Sequence, residues 1–258
     1  MTEELKYSLT NFNQLNFSLI PDAILLNRVE KKYLLNKLEF STIINNLNSQ
    51  YVCLEISNSI INSYYNTYFD TPNFDFYLQH HNNINNRLKI RKRYYKTTDT
   101  YFLEIKQKNC NRTFKNRMQI NNANSFLNPE ELNFITQNNA SATPDNIKAN
   151  VHINYKRLSL INKDFSERLS FDFDIEFVSN TTIIQLNNLI IGECKQIHPS
   201  KSHFINVIKQ QNISQTPFSK YCIAISKLFP DLKHNNFKPQ LTFLEQHFYD
   251  NAFDAVTN

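Results

Sequence analysis

Hydrophobic and polar residues alternate with a period of two along much of the chain, which is the pattern of half-buried β-strands. This alternation predicts strands at 28–35, 64–70, 86–95, 100–108, 112–120, 152–161, 166–177 and 188–197. Short polar turns between several consecutive segments favour antiparallel pairing. We therefore expect about eight strands in an antiparallel barrel or a strongly curved sheet.

Apolar residues spaced three and four positions apart predict helices between these strands. The first helix, at 36–48, should turn four apolar side chains inward: Leu38, Ile43, Ile44 and Leu47. A second begins at Asn128, followed by Pro129 and then by Glu131, the signature of a capped helix start. Other helices are predicted at 200–211, at 218–229 and in the tail, and a loop at 138–146. No composition break divides the chain, so the prediction is one α+β domain over 1–258.

Charged residues fall on one face of seven predicted strands. In NRLKIRKRYY (86–95) the alternate positions on one face are all cations: Arg87, Lys89, Arg91 and Arg93. The other charged faces carry Arg28, Glu30, Lys32, Glu104, Lys106, Lys115, Arg117, Arg157, Arg168, Asp172, Asp174, Glu193 and Lys195. A solvated outer face explains any single strand. So many charged faces instead favour an inverted arrangement, in which they line a tunnel that binds a polyanion and its divalent metal.

The composition narrows the ways in which this chain could bind phosphate. Gly192 is the single glycine, so glycine-rich phosphate loops and the G-x-S-x-G elbow are excluded, and side chains must do the binding. The four cysteines form no C-x-x-C pair, which favours reduced thiols over a zinc site. The net charge of +5 suits phosphate-rich ligands. No apolar run approaches the roughly 20 residues of a membrane span, and a signal peptide is not evident, so a cytoplasmic location is expected.

Eight short motifs occur in the order found in one known family. They are RVEKKYLL, YFDTPNFDFYLQHH, NRLKIRKR, FLEIKQK, YKRLSL, SERLSFDFDIEF, ECK and FSKYC. Over about residues 25–228 the chain resembles the vacuolar transporter chaperone (VTC) domain of the triphosphate tunnel metalloenzymes. The resemblance implies an antiparallel tunnel barrel of about eight strands. It also implies synthesis of inorganic polyphosphate from ATP with a divalent cation, Mn²⁺ or Mg²⁺.

The resemblance also assigns roles to particular residues. Those expected to bind the triphosphate are Lys32, Arg91, Arg93, Lys106, Arg157, Ser219 and Lys220. Glu193 resembles the metal-binding glutamate of the family. Further candidates for the tunnel lining are Arg28, Glu30, Arg87, Lys89, Glu104, Lys115, Arg117, Arg168, Asp172, Asp174 and Lys195. Because the cations of strand 86–95 repel one another, removing Arg91 or Arg93 should abolish phosphate binding with little loss of folding.

One departure and several alternatives bear on the activity. Other branches of the superfamily have E-x-E-x-K near the N-terminus, whereas Arg28 stands here in place of the first glutamate, as in the polymerase branch. The alternatives are a tripolyphosphatase or nucleoside triphosphatase, and a non-catalytic module that binds polyphosphate or inositol phosphate. Nucleic-acid binding ranks last, because interleaved carboxylates would repel a phosphate backbone. His80 and His81 are expected in a turn or at the surface. Some relatives work beside a membrane protein, so such a partner is also considered.

Overall fold

The computed structural model describes residues 8–20, 29–110, 112–138, 147–180, 182–196 and 202–248. Its strands are β1 (Gln14–Asn16), β2 (Val29–Leu35), β3 (Tyr51–Glu55), β4 (Ile61–Asp70), β5 (Asn86–Tyr95), β6 (Thr100–Asn109), β7 (Arg112–Ile120), β8 (Lys148–Asn162), β9 (Glu167–Val178), β10 (Ile183–Leu186) and β11 (Ile190–Gln196). Its α-helices are α1 (Lys37–Leu47), α2 (Asp75–His81), α3 (Pro129–Asn138), α4 (His203–Gln210), α5 (Lys220–Leu228) and α6 (Lys238–Phe248). None of these helices is long and apolar enough to cross a membrane.

The strands join in one sheet whose main path has the order β2-β11-β9-β8-β4-β5-β6-β7. The pairs β2–β11, β11–β9, β4–β5, β5–β6 and β6–β7 are antiparallel. Off this path, β3 pairs with β1 and β8, and β10 pairs with β9. An antiparallel sheet with eight strands on its main path, accompanied by helices, confirms the predicted α+β class.

Cα packing divides the chain into two compact units, each assembled from three segments. Unit 1 comprises 1–63, 155–175 and 186–218, and unit 2 comprises 64–154, 176–185 and 219–258. Because β8 and β9 each supply residues to both units, neither unit is a continuous stretch of chain. The prediction of one domain over 1–258 stays a prediction.

In unit 1 the apolar faces of the strands pack under helices. Leu35 of β2 and Phe171 of β9 share a core with Phe40 of α1 and Phe204 of α4. Strand register places Lys32, paired with Glu193, on the face opposite to Leu35. The charged face of unit 1 is therefore the one turned away from this core, as the inverted arrangement requires.

In unit 2 the apolar faces of the strands also pack under helices, and they form a separate core. Leu88 and Ile90 of β5 pack with Leu103 of β6, beneath Phe76 of α2 and Ile135 of α3. Alternation then turns the opposite side of these strands, with its cations, away from α2 and α3.

The predicted boundaries of β5, β7 and α1 lie within one residue of the observed ones. One inward assignment in α1 is wrong: Leu38 is 78% exposed, and Phe40 occupies the buried position instead. Phe40, Ile43, Ile44 and Leu47 follow the three-and-four spacing of one helix face, whereas Leu38 lies outside it. At Asn128 the predicted capping box is confirmed, because Glu131 N donates to its Oδ1 at 2.9 Å.

The expectation for the two histidines is corrected by helix α2, which sequence analysis did not predict. His80 and His81 form its last turn, and His81 is only 1% exposed. The His81 ring packs against Tyr77 and Phe237, and its Nε2 accepts a hydrogen bond from Asn236 N at 3.2 Å. These contacts give His81 a structural role. The loop predicted at 138–146 falls almost wholly outside the described residues.

Candidate functional site

The charged face of unit 2 is built by strands β5, β6 and β7. Their register pairs Arg91 with Glu104 and Glu104 with Arg117, so alternate residues of the three strands share one side. This side carries four cations from β5, two from β6 and two from β7: Arg87, Lys89, Arg91, Arg93, Lys106, Lys108, Lys115 and Arg117. Within these strands, which the structure describes throughout, Glu104 is the one carboxylate on that side. The face therefore has a large excess of positive charge.

Glu104 lies at the centre of these cations and is 1% exposed. Its Oε2 is 2.6 Å from Arg91 Nη2 and 3.8 Å from Arg93 Nε, and its Oε1 is 3.0 Å from Lys115 Nζ. Burial alone would raise the pKa of Glu104, but the three cations hold it well below its ordinary value. The carboxylate is therefore ionised at neutral pH and fixes the orientation of Arg91.

Tyrosine and asparagine side chains of β4 hold the two arginines. Arg91 Nη1 donates to Tyr68 Oη at 2.7 Å, and Arg93 Nε donates to Asn66 Oδ1 at 2.7 Å. Burial would raise the pKa of the Tyr68 phenol, but Arg91, Arg93 and Lys89 lower it. Sequence analysis missed Tyr68 and Asn66, although both fall on the same alternation as the arginines.

A buried network connects this face to the start of helix α5. Tyr221 of α5 stacks on Tyr68 with ring centroids 5.0 Å apart and donates its hydroxyl proton to Asp70. Asp70 also accepts from the backbone N–H groups of Thr71, Phe76 and Tyr77. Burial and the Asp70 carboxylate raise the pKa of Tyr221, so its phenol stays protonated and donates. The network fixes α5 against β4.

The predicted residues Ser219 and Lys220 stand at the first turn of α5. Ser219 is the N-cap, and its Oγ accepts from Cys222 N at 3.3 Å and from Lys89 Nζ at 2.8 Å. Lys220 is the first helical residue. A helix N-terminus beside Lys89 favours a negatively charged ligand.

The charged face of unit 1 is more balanced. Glu193 lies between two lysines: its Oε1 is 2.6 Å from Lys195 Nζ and its Oε2 is 3.9 Å from Lys32 Nζ. Lys32 Nζ also lies 3.1 Å from Glu30 Oε1 and donates to the Phe218 carbonyl at 3.1 Å. Burial would raise the pKa of Glu193, but Lys195, Lys32 and Arg157 lower it strongly. Glu193 is thus an ionised, cation-flanked carboxylate.

Arg157 also belongs to unit 1 and forms a bidentate pair with Asp172. Arg157 Nε and Nη2 donate to the two Asp172 carboxylate oxygens at 2.5 and 2.8 Å. Asp174 does not extend this pair: its φ of 49° interrupts the extended strand, and its carboxylate pairs with Lys156 at 2.9 Å. Arg168, opposite Lys195 in the register, places its guanidinium 5.2 Å from the Phe17 ring centroid.

Two further candidates, Arg87 and Lys106, lie on β5 and β6. Arg87 Nη1 donates to the Ile84 carbonyl at 3.4 Å. Lys106 pairs in register with Lys89 on one side and Lys115 on the other. Arg28 lies outside the described residues. His80 borders this face: burial, Lys89 and Arg87 lower its pKa to about 2, so its imidazole is neutral at pH 7.

In unit 1, a divalent cation would need phosphate oxygens of the substrate as ligands in addition to the protein side chains. Among the described residues, no group of three or more His, Cys, Asp or Glu side chains could hold a metal by itself. Glu193 offers one ionised carboxylate, and Mg²⁺ commonly binds through one or two carboxylates together with substrate phosphates. Hard oxygen donors of this kind suit Mg²⁺ or Mn²⁺. A single ionised carboxylate is compatible with the predicted cation, and Glu193 is the residue that would hold it.

Helices over the apolar side of an antiparallel sheet, with cations on the other side of β5–β7, define an α+β fold with a basic sheet face. The chain belongs to the VTC domain family, whose profile matches residues 27–229. This match confirms the resemblance read from the eight motifs. Among curated proteins, no significant match was found.

Several solved structures have a related chain trace. A candidate adenylate cyclase from Bacillus halodurans is 16% identical, with 79% of this chain and 97% of that chain covered and a TM-score of 0.49. A candidate adenylyl cyclase from Hippeastrum, described as having dominant triphosphatase activity, is 12% identical, with coverages of 78% and 96% and a TM-score of 0.48. Likeness at this level does not bear on the activity of the present chain.

Proposed function

We propose that this chain is a metal-dependent polyphosphate polymerase, which transfers the γ-phosphate of ATP to a growing inorganic polyphosphate chain. The observation that carries the proposal is the cation row of unit 2, where eight cations from three strands face one carboxylate. Such a row matches a linear polyanion better than a single phosphate group. Membership of the VTC domain family supports the same ligand class.

In the proposed reaction, an oxygen of the terminal phosphate of the polyphosphate chain attacks the γ-phosphorus of ATP. The bond from that phosphorus to the β–γ bridging oxygen breaks, and ADP leaves with the electron pair. The transferred group carries its charge on oxygens throughout, so positioning and charge neutralisation supply most of the rate. A bound Mg²⁺ or Mn²⁺ would polarise phosphate oxygens.

The protein's own part is to bind and orient. Arg91, held by Glu104 and Tyr68, presents a fixed guanidinium, and arginine can bind two phosphate oxygens at once. Lys89 and Ser219 place a charge and a helix N-terminus beside it. Within unit 1, Lys32 and Arg157 are proposed as phosphate-binding residues and Glu193 as the ligand of the cation.

The test is incubation of purified protein with ATP and either Mn²⁺ or Mg²⁺, followed by gel analysis of polyphosphate and measurement of ADP and orthophosphate. Long-chain polyphosphate with one ADP per transferred phosphate supports the proposal. Orthophosphate without polymer would show a triphosphatase instead. Tight binding of tripolyphosphate without turnover under either metal would show a binding module. Arg112→Ala, an exposed substitution at the start of β7, is a matched control for loss of a surface cation.

Glu193→Gln provides a separate test of the metal assignment. The substitution keeps the side-chain size but removes the carboxylate charge, so we expect turnover to fall at least about 100-fold while tripolyphosphate binding without metal persists. Turnover and metal affinity, measured by titration of Mn²⁺, should fall together. If turnover of Glu193→Gln depended on Mn²⁺ as in the wild type, Glu193 would be ruled out as the metal ligand.

The proposed partners are ATP and inorganic polyphosphate, and nucleic acid is not proposed as a ligand. A cytoplasmic location stays a proposal, and association with a membrane-protein partner is a proposal that rests on the family resemblance.

A further inference from the structure

A patch of different chemistry interrupts the cation row of unit 2 at one end. Phe102 lies directly opposite Arg93 in the β5–β6 register, and Gln119 lies opposite Phe102 in the β6–β7 register. The Tyr95 ring stands perpendicular to the Phe102 ring, with centroids 5.7 Å apart. The Arg117 guanidinium lies over the Phe102 ring, 5.1 Å from its centroid. We name Tyr95, Phe102, Arg117 and Gln119 the aromatic patch.

The aromatic patch is accessible, although it adjoins a buried centre. Phe102 and Tyr95 are partly exposed, and Arg117 and Gln119 are exposed. Glu104, two residues from Phe102 on the same side of β6, is by contrast almost fully buried. The Phe102 ring does not pack against α2 or α3, because both helices lie on the other side of these strands.

The groups of the patch are those that bind an aromatic base. Bases stack on Phe and Tyr rings with little dependence on sequence, and a guanidinium plane stacks in the same way. The Gln119 amide has both a donor and an acceptor for the polar edge of a base. We propose that the aromatic patch binds the base of the nucleoside triphosphate, an inference that rests on the proposed function and adds a nucleoside subsite to it.

The order of side chains along β5 and β6 predicts the orientation of the bound nucleoside triphosphate. On the same side, beyond Arg91, the register pairs Lys89 with Lys106 and Arg87 with Lys108. A base at Phe102 therefore leaves its phosphates to run past Arg91 toward these four cations. One two-residue step of about 6.8 Å separates the Arg93–Phe102 pair from the Arg91–Glu104 pair. The ribose lies between base and phosphates and can span such a step.

Two ligands that differ in the nucleoside test the proposal. Binding of ATP and of inorganic tripolyphosphate to wild type and to Phe102→Leu is measured by calorimetry at fixed salt and fixed Mg²⁺. Leucine keeps an apolar side chain but cannot stack. We expect the Kd for ATP to rise roughly 5- to 100-fold in Phe102→Leu, since stacking on one ring contributes that much per base. The Kd for tripolyphosphate should stay within about twofold.

Tyr101→Leu is the matched control, because Tyr101 is the adjacent residue of β6 and stacks with Tyr94 on the other side of the sheet. It should change neither Kd. A second measurement needs no variant and uses ribose 5-triphosphate, which lacks the base. The wild type should bind this ligand more weakly than ATP, by a factor similar to that expected for Phe102→Leu.

The outcomes separate the two proposals. Equal losses for ATP and tripolyphosphate in Phe102→Leu, or no loss for either, would overturn the nucleoside subsite. Equal affinity of the wild type for ATP and ribose 5-triphosphate would also overturn it. Failure of the wild type to bind either ATP or tripolyphosphate would instead refute the proposed function.

Discussion

Replacement of Glu104 by glutamine should lower stability and strengthen phosphate binding, two effects of opposite sign. Glu104 is buried among Arg91, Arg93 and Lys115, at 2.6, 3.8 and 3.0 Å. Loss of one member of a buried ion pair costs about 3–5 kcal/mol. Glutamine still accepts hydrogen bonds, and Lys115 is half exposed, so the lower end, about 3 kcal/mol, applies. For a chain of this size the midpoint of thermal unfolding should fall by roughly 6–12 °C.

The expected gain in phosphate affinity follows from the same charges. Without Glu104, three cations face an incoming phosphate with no buried carboxylate to oppose it. At an effective dielectric constant of about 20, one negative charge removed from about 8 Å away relieves about 2 kcal/mol of repulsion. Salt screening reduces this value, so we expect the Kd for tripolyphosphate to fall at least about fivefold. Calorimetry of both proteins at two salt concentrations measures it.

The stability difference between wild type and Glu104→Gln should depend on pH. The folded pKa of Glu104 is lowered by its three cations, so its stabilisation is present above the unfolded value of about 4.3 and is lost as the pH falls through the folded pKa. Thermal unfolding should show the full difference at pH 7 and a smaller one near pH 3. Glu130→Gln, an exposed change on α3, is the control and should stay within about 0.5 kcal/mol. Weaker tripolyphosphate binding by Glu104→Gln would refute the charge argument and show that Glu104 acts chiefly by orienting Arg91.

Three other substitutions test neighbouring parts of unit 2. Arg91→Ala should abolish tripolyphosphate binding and also cost about 2–3 kcal/mol of unfolding free energy, because Glu104 loses its shortest ion pair; unchanged chemical denaturation would contradict this. Tyr221→Phe should cost about 1–2 kcal/mol by removing the hydroxyl donor to Asp70, which keeps its backbone donors, and binding should change little. Lys92→Met should cost about 3–4 kcal/mol by leaving Glu131 charged and buried, and the double variant with Glu131→Gln should recover at least half of that loss in urea unfolding.

The ion pair between Arg91 and Glu104 argues against the expectation that loss of Arg91 would leave folding intact. From sequence alone, Arg91 has only like-charged neighbours on its strand face, so its removal relieves repulsion. Register with β6 brings Glu104 directly opposite, which turns Arg91 into one half of a buried pair. Such a pairing depends on residues distant in sequence, and alternation within one strand does not reveal it.

Lys92, on the other face of β5, also has an ion-pair partner that alternation within one strand does not reveal. Its position among Leu88 and Ile90 is apolar by alternation, and the side chain is 1% exposed. It is stabilised there by Glu131 of α3 at 2.9 Å and by the Phe126 carbonyl at 2.6 Å. Sequence analysis found Glu131 only as a partner in the cap of α3. Its second contact requires the helix to pack on the sheet.

The sequence by itself determined the eight strands of the main sheet path and their two faces, because alternation with a period of two is local and needs only neighbouring residues. It missed β1, β3 and β10, and it indicated the family through the order of its motifs. It also excluded glycine-lined phosphate loops, since composition alone decides that. Tertiary structure decided which charges are paired, which arginine is fixed by Tyr68, and where aromatic rings meet the cation row. Those properties depend on register between strands and on helix packing, which bring together side chains that are far apart along the chain.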